Sequence, residues 1–459
     1  MTSTDLSAAA PAPVRWWRTF GRPPRIMGLD VARALALLGM VGAHVGVGGL
    51  VDGRSSILFA VLAGVSVALM TGRTQVPEPH MLPVLRLRLL GRGAAIFVIG
   101  VALEALGTPI AVILTVYGLL YVAAIPFLRW GATRLLIAAG VLAVAAPPLL
   151  AGLHAVNLAA SAPGLDLVLF GTYPITVWLA LMLGGMALGR LRLDRVRTAV
   201  WMLVVGVVLA AIGYGVGALA ESQGGDDTAT DSHSSYSSFL YADDADAGMY
   251  GVPAEEFDFS GKVCDDWGGG EIYCYADGGD EVLVDDEGEL GVEKDQSGWT
   301  TYPTQLAEQQ PGVMMFDALV AAYPHSGGTA EIVGSGGFAV VVIAVCLLVT
   351  RWLRWVLLPL AALGSMPLTG YSAHILVFLV AAGPMAMPFD TSGWWGWFSL
   401  AMVAAATAWS MFFGQGPLER LVARAASAMA SGARASQGDT SRVSAPASVA
   451  SETAGVPRP

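Results

Sequence analysis

The chain has 459 residues, of which 55% are hydrophobic and only 13% charged, with a mean hydropathy of +0.61. Repeated apolar runs near membrane-spanning length have no place in a soluble core, so this composition excludes a soluble multidomain protein. It predicts an all-α integral membrane protein instead. The formal net charge of -11 is unevenly spread: the acidic excess lies between Glu221 and Glu308, the arginines lie in short loops, and no basic face for nucleic acid exists.

In chain order, residues 1–24 read as a disordered cytoplasmic tail. Met1 to Ala12 has no charged start followed by an apolar core, so the first membrane helix is expected to act as its own uncleaved signal. Arg15, Arg18, Arg22 and Arg25 then hold the N-terminus in the cytoplasm. Apolar runs predict helices near 28–50, 55–72, 93–107, 109–128, 135–152, 169–189 and 199–220, which with the residues leading in make a membrane block over 25–220. Residues 221–329 form an acidic soluble insert, expected outside the cytoplasm, with Lys262 and Lys294 as its only lysines or arginines. Cys264 and Cys274 within it are expected to pair in an oxidising compartment; two free thiols are the alternative. Alternation at Glu281-Val282-Leu283-Val284 suggests a small β-rich cap.

A second membrane block, 330–424, holds helices near 331–350, 356–382 and 394–415. The middle one carries Pro359, Gly364, Pro367 and Gly370, which predict a kink or a split. Residues 425–459 read as a disordered cytoplasmic tail. With about ten spans (ten to eleven), every net-basic loop falls on one side, the cytoplasmic one, in a cell membrane.

The first helix, within Arg25 to Leu50, is the most informative stretch. It is long enough to cross a bilayer core yet carries Asp30, Arg33 and His44. On a helical wheel these three fall within about 60° of one another, and His44 stands about 21 Å beyond Asp30 along the axis. Asp30 and Arg33 are one turn apart; they read as an interfacial anchor or as part of a ligand entrance, where an arginine meets phosphates. Arg86, Arg88 and Arg92 offer the same chemistry, although loop topology alone explains them.

Several of these stretches together resemble a known family. RIMGLDVARALALLGMVGAHV resembles the first helix of bacterial YeiB-like membrane proteins, which are similar to the catalytic domain of heparan-alpha-glucosaminide N-acetyltransferase. FAVLAGVSVAL (59–69), GTYPITVWLALMLGGMALGR (171–190), PHSGGTAEIVGSGG (324–337), SMPLTGYSAHI (365–375) and GQGPLERL (414–421) match in order and spacing. The resemblance implies a transmembrane acyltransferase that moves an acetyl or similar acyl group from cytoplasmic acyl-CoA to an extracytoplasmic sugar, glycan or lipid-linked acceptor. It implies a histidine near the outer face as acyl carrier or general base, for which His44 and His325 are the candidates. The short loop Val51 to Arg54 holds no histidine, a departure from the lysosomal enzyme, so the choice between the two stays open.

Acyl transfer needs a base and an oxyanion donor, and histidine suits the first task. Asp52, Arg54, Glu104, Tyr371 and His374 are the candidate acceptor-binding residues, with Glu104 expected as a partner for Arg54 or a histidine. Asp30 and Arg33 are the candidates for acyl-CoA, and no metal site is expected. A small-solute or lipid transporter is the alternative, since polar residues in the first helix and a broken helix serve it equally well.

Overall fold

A computed structural model describes residues 16–17, 19–22, 25–49, 51–158, 164, 166–223, 262–266, 272–276, 299, 301–384 and 392–443. The described chain is mostly α-helical: α1 Met27–His44, α2 Arg54–Met70, α3 Leu82–Glu104, α4 Leu114–Ala123, α5 Ala132–Val156, α6 Ile175–Gly189 and α7 Val196–Gln223. Within the insert lie α8 Tyr302–Glu308 and α9 Pro311–Val320, followed by α10 Thr329–Val349, α11 Arg354–Gly364, α12 Pro367–Ala382, α13 Trp395–Phe412 and α14 Pro417–Val443. Among the described residues, four helices (α1, α5, α7 and α10) are long and apolar enough to cross a membrane, or up to six spans if each of two bent pairs counts as one. These pairs are α11–α12, bent by 68°, and α13–α14, bent by 55°. The fold is thus consistent with a membrane protein, while α2, α4 and α6 are shorter apolar helices.

α1 is the axis of the bundle. It packs against α2, α10 and α11, and Leu29, Ala32, Ala34, Leu37 and Val41 along it are buried. Small residues permit close approach of the surrounding helices. Gly206 and Gly213 of α7 face Gly337 and Gly334 of α10, and Gly64 of α2 lies against the backbone of Met182 in α6. Arg190, only 6% exposed, ties three segments together: it donates to the carbonyls of Thr71 (3.0 Å), Arg73 (3.0 Å) and Leu128 (2.8 Å). A residue that reads in sequence as a loop charge is therefore a buried clamp.

Some expectations change. The insert contains helices: α9 carries an apolar face onto α5. Its described β structure is one antiparallel hairpin, Lys262–Asp266 with Ile272–Ala276, not a β-rich cap, and Glu281 to Val284 lies outside the described residues. The hairpin's register sets Cys264 opposite Cys274, though their side chains lie outside the described set. The segment from 425, expected as a disordered tail, continues as α14 to Val443, packed on α3; the composition that suggested disorder reads equally as an Ala/Arg/Ser helix. The tail beyond 443 lies outside the described residues, as does most of the N-terminal one.

The expected break near Gly364 is present, and it has a packing reason. A Cβ at Gly364 would overlap the Asp30 carbonyl oxygen, so only glycine lets α11 close against the first turns of α1. Gly364→Val should lower the melting temperature in detergent by the equivalent of about 2 kcal/mol or more, the cost of overpacking. Wild-type stability in that variant would contradict the close approach.

Candidate functional site

Polar groups gather at the two ends of α1. At the first, Asp30 is 4% exposed and accepts from two guanidiniums: Arg33 Nη1 to Oδ1 at 2.5 Å and Arg25 Nη1 to Oδ2 at 3.1 Å. Arg33 Nη2 also donates to Ser66 Oγ of α2 at 2.9 Å. The pair expected from sequence is thus a triad. It borders a cavity of about 720 Å³ into which Arg22, Arg25, Arg33 and Arg73 contribute, with Ser365 from the α11–α12 break. Arg86, Arg88 and Arg92 do not line this cavity; Arg92 lies over the Tyr121 ring, its guanidinium carbon 5.2 Å from the centroid.

At the other end, His44 closes α1, and its Nδ1 lies 3.1 Å from Nε2 of His374 on α12. The two rings are nearly parallel, at 9°. His374 is fully buried, with the Tyr371 ring edge-on at 4.9 Å. Tyr371 is itself buried and accepts from the Ile113 N–H at 3.3 Å, with its ring set against His374.

His325 joins this cluster from the loop before α10. Its Nε2 lies 3.5 Å from Asp52 Oδ1, and its ring meets Tyr173 edge-on at 6.1 Å. Both Asp52 and His325 lie within electrostatic reach of His44. The hydrogen bond from His325 holds the Asp52 carboxyl below its ordinary range, more than offsetting the opposing effect of partial burial.

The backbone of His325 has a φ of 63°, a left-handed conformation that a non-glycine residue adopts only when its surroundings impose it. Glu331 imposes it. Its buried carboxylate accepts from His325 N–H (2.8 Å), Gly327 N–H (2.8 Å) and Ser326 Oγ–H (3.1 Å). Glu331 stands three residues after the N-cap Gly328, where a glutamate reaches back to free donors. The sequence reading missed it, although that spacing was the available signal.

Arg54 starts α2 beside this cluster, and its Nε donates to Tyr214 Oη at 2.7 Å while Nη1 donates to the Gly49 carbonyl at 2.7 Å. Tyr214 Oη in turn lies 2.9 Å from Ser335 Oγ. Glu104 is not its partner: it accepts from Thr115 Oγ1 at 2.9 Å, a bond between α3 and α4. The structure thus brings together His44, His325, His374 and Asp52, sets Arg54 beside them, and leaves Glu104 in a helix-to-helix contact. Among the described residues, no group of three or more His, Cys, Asp or Glu side chains is arranged to hold a metal ion.

No family model matches the chain, and no curated protein or solved structure matches it.

Two outcomes are expected. Glu331→Gln should release the loop carrying His325 and cost about 2 kcal/mol of stability, measured by thermal unfolding, because charge-assisted bonds are lost. Asp52, with its lowered folded pKa, contributes fully above about pH 4 and progressively less as the pH falls through the folded value. Thermal unfolding from pH 7 down to 3 should therefore show an acid-side loss that is smaller in Asp52→Asn; equal losses would contradict the Asp52–His325 bond.

Proposed function

We propose that the protein is a transmembrane acyltransferase, using acyl-CoA from the cytoplasm and an extracytoplasmic carbohydrate or lipid-linked acceptor. The observation that carries this reading is the polarity of α1: an arginine-lined cavity at one end, a histidine–aspartate cluster at the other. Arg25 and Arg33 suit the phosphates of CoA, and the size of the cavity suits a nucleotide-bearing donor. His325, oriented by Asp52, takes the proton of the acceptor hydroxyl or amine. His44 carries the acyl group: a C–N bond forms as the thioester C–S bond breaks, and CoA leaves as its thiolate. The acceptor then attacks the acyl carbon, and His44 departs as imidazole.

The membrane reading extends to about ten spans: seven helices before the insert, then α10, the bent α11–α12 pair and α13. The arginine end of α1 faces the cytoplasm together with both termini, and the insert lies outside. Exposed Val, Leu and Ile on α5 and α7 suit lipid contact, and Trp352, Trp394 and Trp397, 87%, 71% and 71% exposed, suit bilayer interfaces. Cys264 and Cys274, opposed in register, form a disulfide on that face.

The segment of α1 between its two polar ends is packed, with Leu37 fully buried, so delivery of the acyl group requires movement. The bend at residues 364–367 is the place for it. The same bend also favours a second reading, a small-solute or lipid transporter.

Turnover of labelled acetyl-CoA by purified protein in liposomes separates the two. Wild type should release CoA, and His44→Ala and His325→Ala should each lose about 100-fold or more. Folded protein that neither binds nor turns over acyl-CoA, but moves a solute, would establish the transporter.

A further inference from the structure

We infer that His44 and His374 form one proton-sharing unit, in which His374 is a positioning residue that takes and returns the Nδ1 proton of His44. This deepens the acyltransferase reading and rests on it for its catalytic consequence, but the unit itself rests on geometry alone.

The Nδ1 to Nε2 distance of 3.1 Å is that of an N–H···N hydrogen bond, and the ring planes are within 9° of parallel with centroids 5.3 Å apart. A bond of this kind holds one proton between two lone-pair sites. The protonation of each ring is therefore tied to that of the other, and the state of His374 determines whether the second nitrogen of His44 is a base or an acid. The surroundings hold the arrangement still. His374 is fully buried, lies on α12 beyond the bend at residues 364–367, and is flanked edge-on by Tyr371 at 4.9 Å and Phe378 at 6.5 Å. Around His44 the ionisable groups within reach are His325 and Asp52.

This pairing resolves a proton balance that acyl transfer to a histidine creates. An imidazole acylated at Nε2 while Nδ1 keeps its hydrogen is a cation. When Nδ1 passes its proton to Nε2 of His374, the acyl-imidazole becomes neutral and His374 holds the charge. When the acceptor attacks, the C–N bond to His44 breaks, and the electron pair left on Nε2 makes the ring basic. The proton then returns from His374 to Nδ1, and His325 retains the proton taken from the acceptor until it is lost to solvent. No oxidant, reductant or further reactant enters.

The test uses full-length protein in nanodiscs with ¹⁵N-labelled histidine. An N–H···N coupling between two imidazoles is expected in wild type and absent from both His374→Phe and His44→Gln. Its absence from folded wild type overturns the pair, whatever the acyl-CoA assay shows. Its presence without any acyl-CoA turnover leaves the pair standing and removes the acyltransferase reading. Kinetics then separate positioning from packing. His374→Phe should lower kcat by about 100-fold with KM nearly unchanged, whereas His374→Gln, which keeps a hydrogen-bonding group, should recover about tenfold of that loss. Equal loss in both variants, or a change confined to KM, overturns the role for His374.

Discussion

An ionic or imidazole group inside an apolar helical bundle must find a partner, because nothing in hydrocarbon replaces the water it loses. This constraint governs both ends of α1. Asp30 is held by Arg25 and Arg33, and His44 by His374. Each pairing recruits another part of the chain: the residues before α1, the middle of α2 through Ser66, and α12 from beyond the insert. The polar partners of α1 therefore determine which helices surround it.

The same requirement recurs where loops meet helices. Glu331 collects three donors from the turn before α10 and thereby sets His325 beside Asp52. Glu419 of α14 does the corresponding job for α12, accepting from Leu368 N–H (2.8 Å), Thr369 N–H (3.1 Å) and Thr369 Oγ1–H (2.5 Å). That bond anchors the start of the helix that carries His374. Two carboxylates near helix N-termini thus place two of the three clustered histidines, one through a loop and one through a helix.

Sequence made the helical architecture legible because apolar length and loop arginines are local signals. The polar stripe of α1 was equally legible, since three ionisable residues on one helical face stand out against an apolar background. The break at Gly364 and Pro367 followed from backbone chemistry. Pairings across long separations were not legible: His44 with His374, Asp52 with His325, and Arg54 with Tyr214 depend on which helices become neighbours. Glu104 shows the difficulty, since a lone carboxylate near a helix end looks available for an arginine until Thr115 proves to be its donor. The insert misled by composition: α9 is a short apolar helix inside an otherwise acidic stretch, and a window wide enough to see the acid hides it.

We propose that α1 links a donor site on one face of the membrane to an acceptor site on the other. Sidedness tests it most directly. Protein inserted in one orientation would receive labelled acetyl-CoA only on the face of the arginine-lined cavity, with a simple sugar amine supplied in both compartments. Labelled product is expected only in the opposite compartment. Product confined to the compartment that holds acetyl-CoA would contradict it.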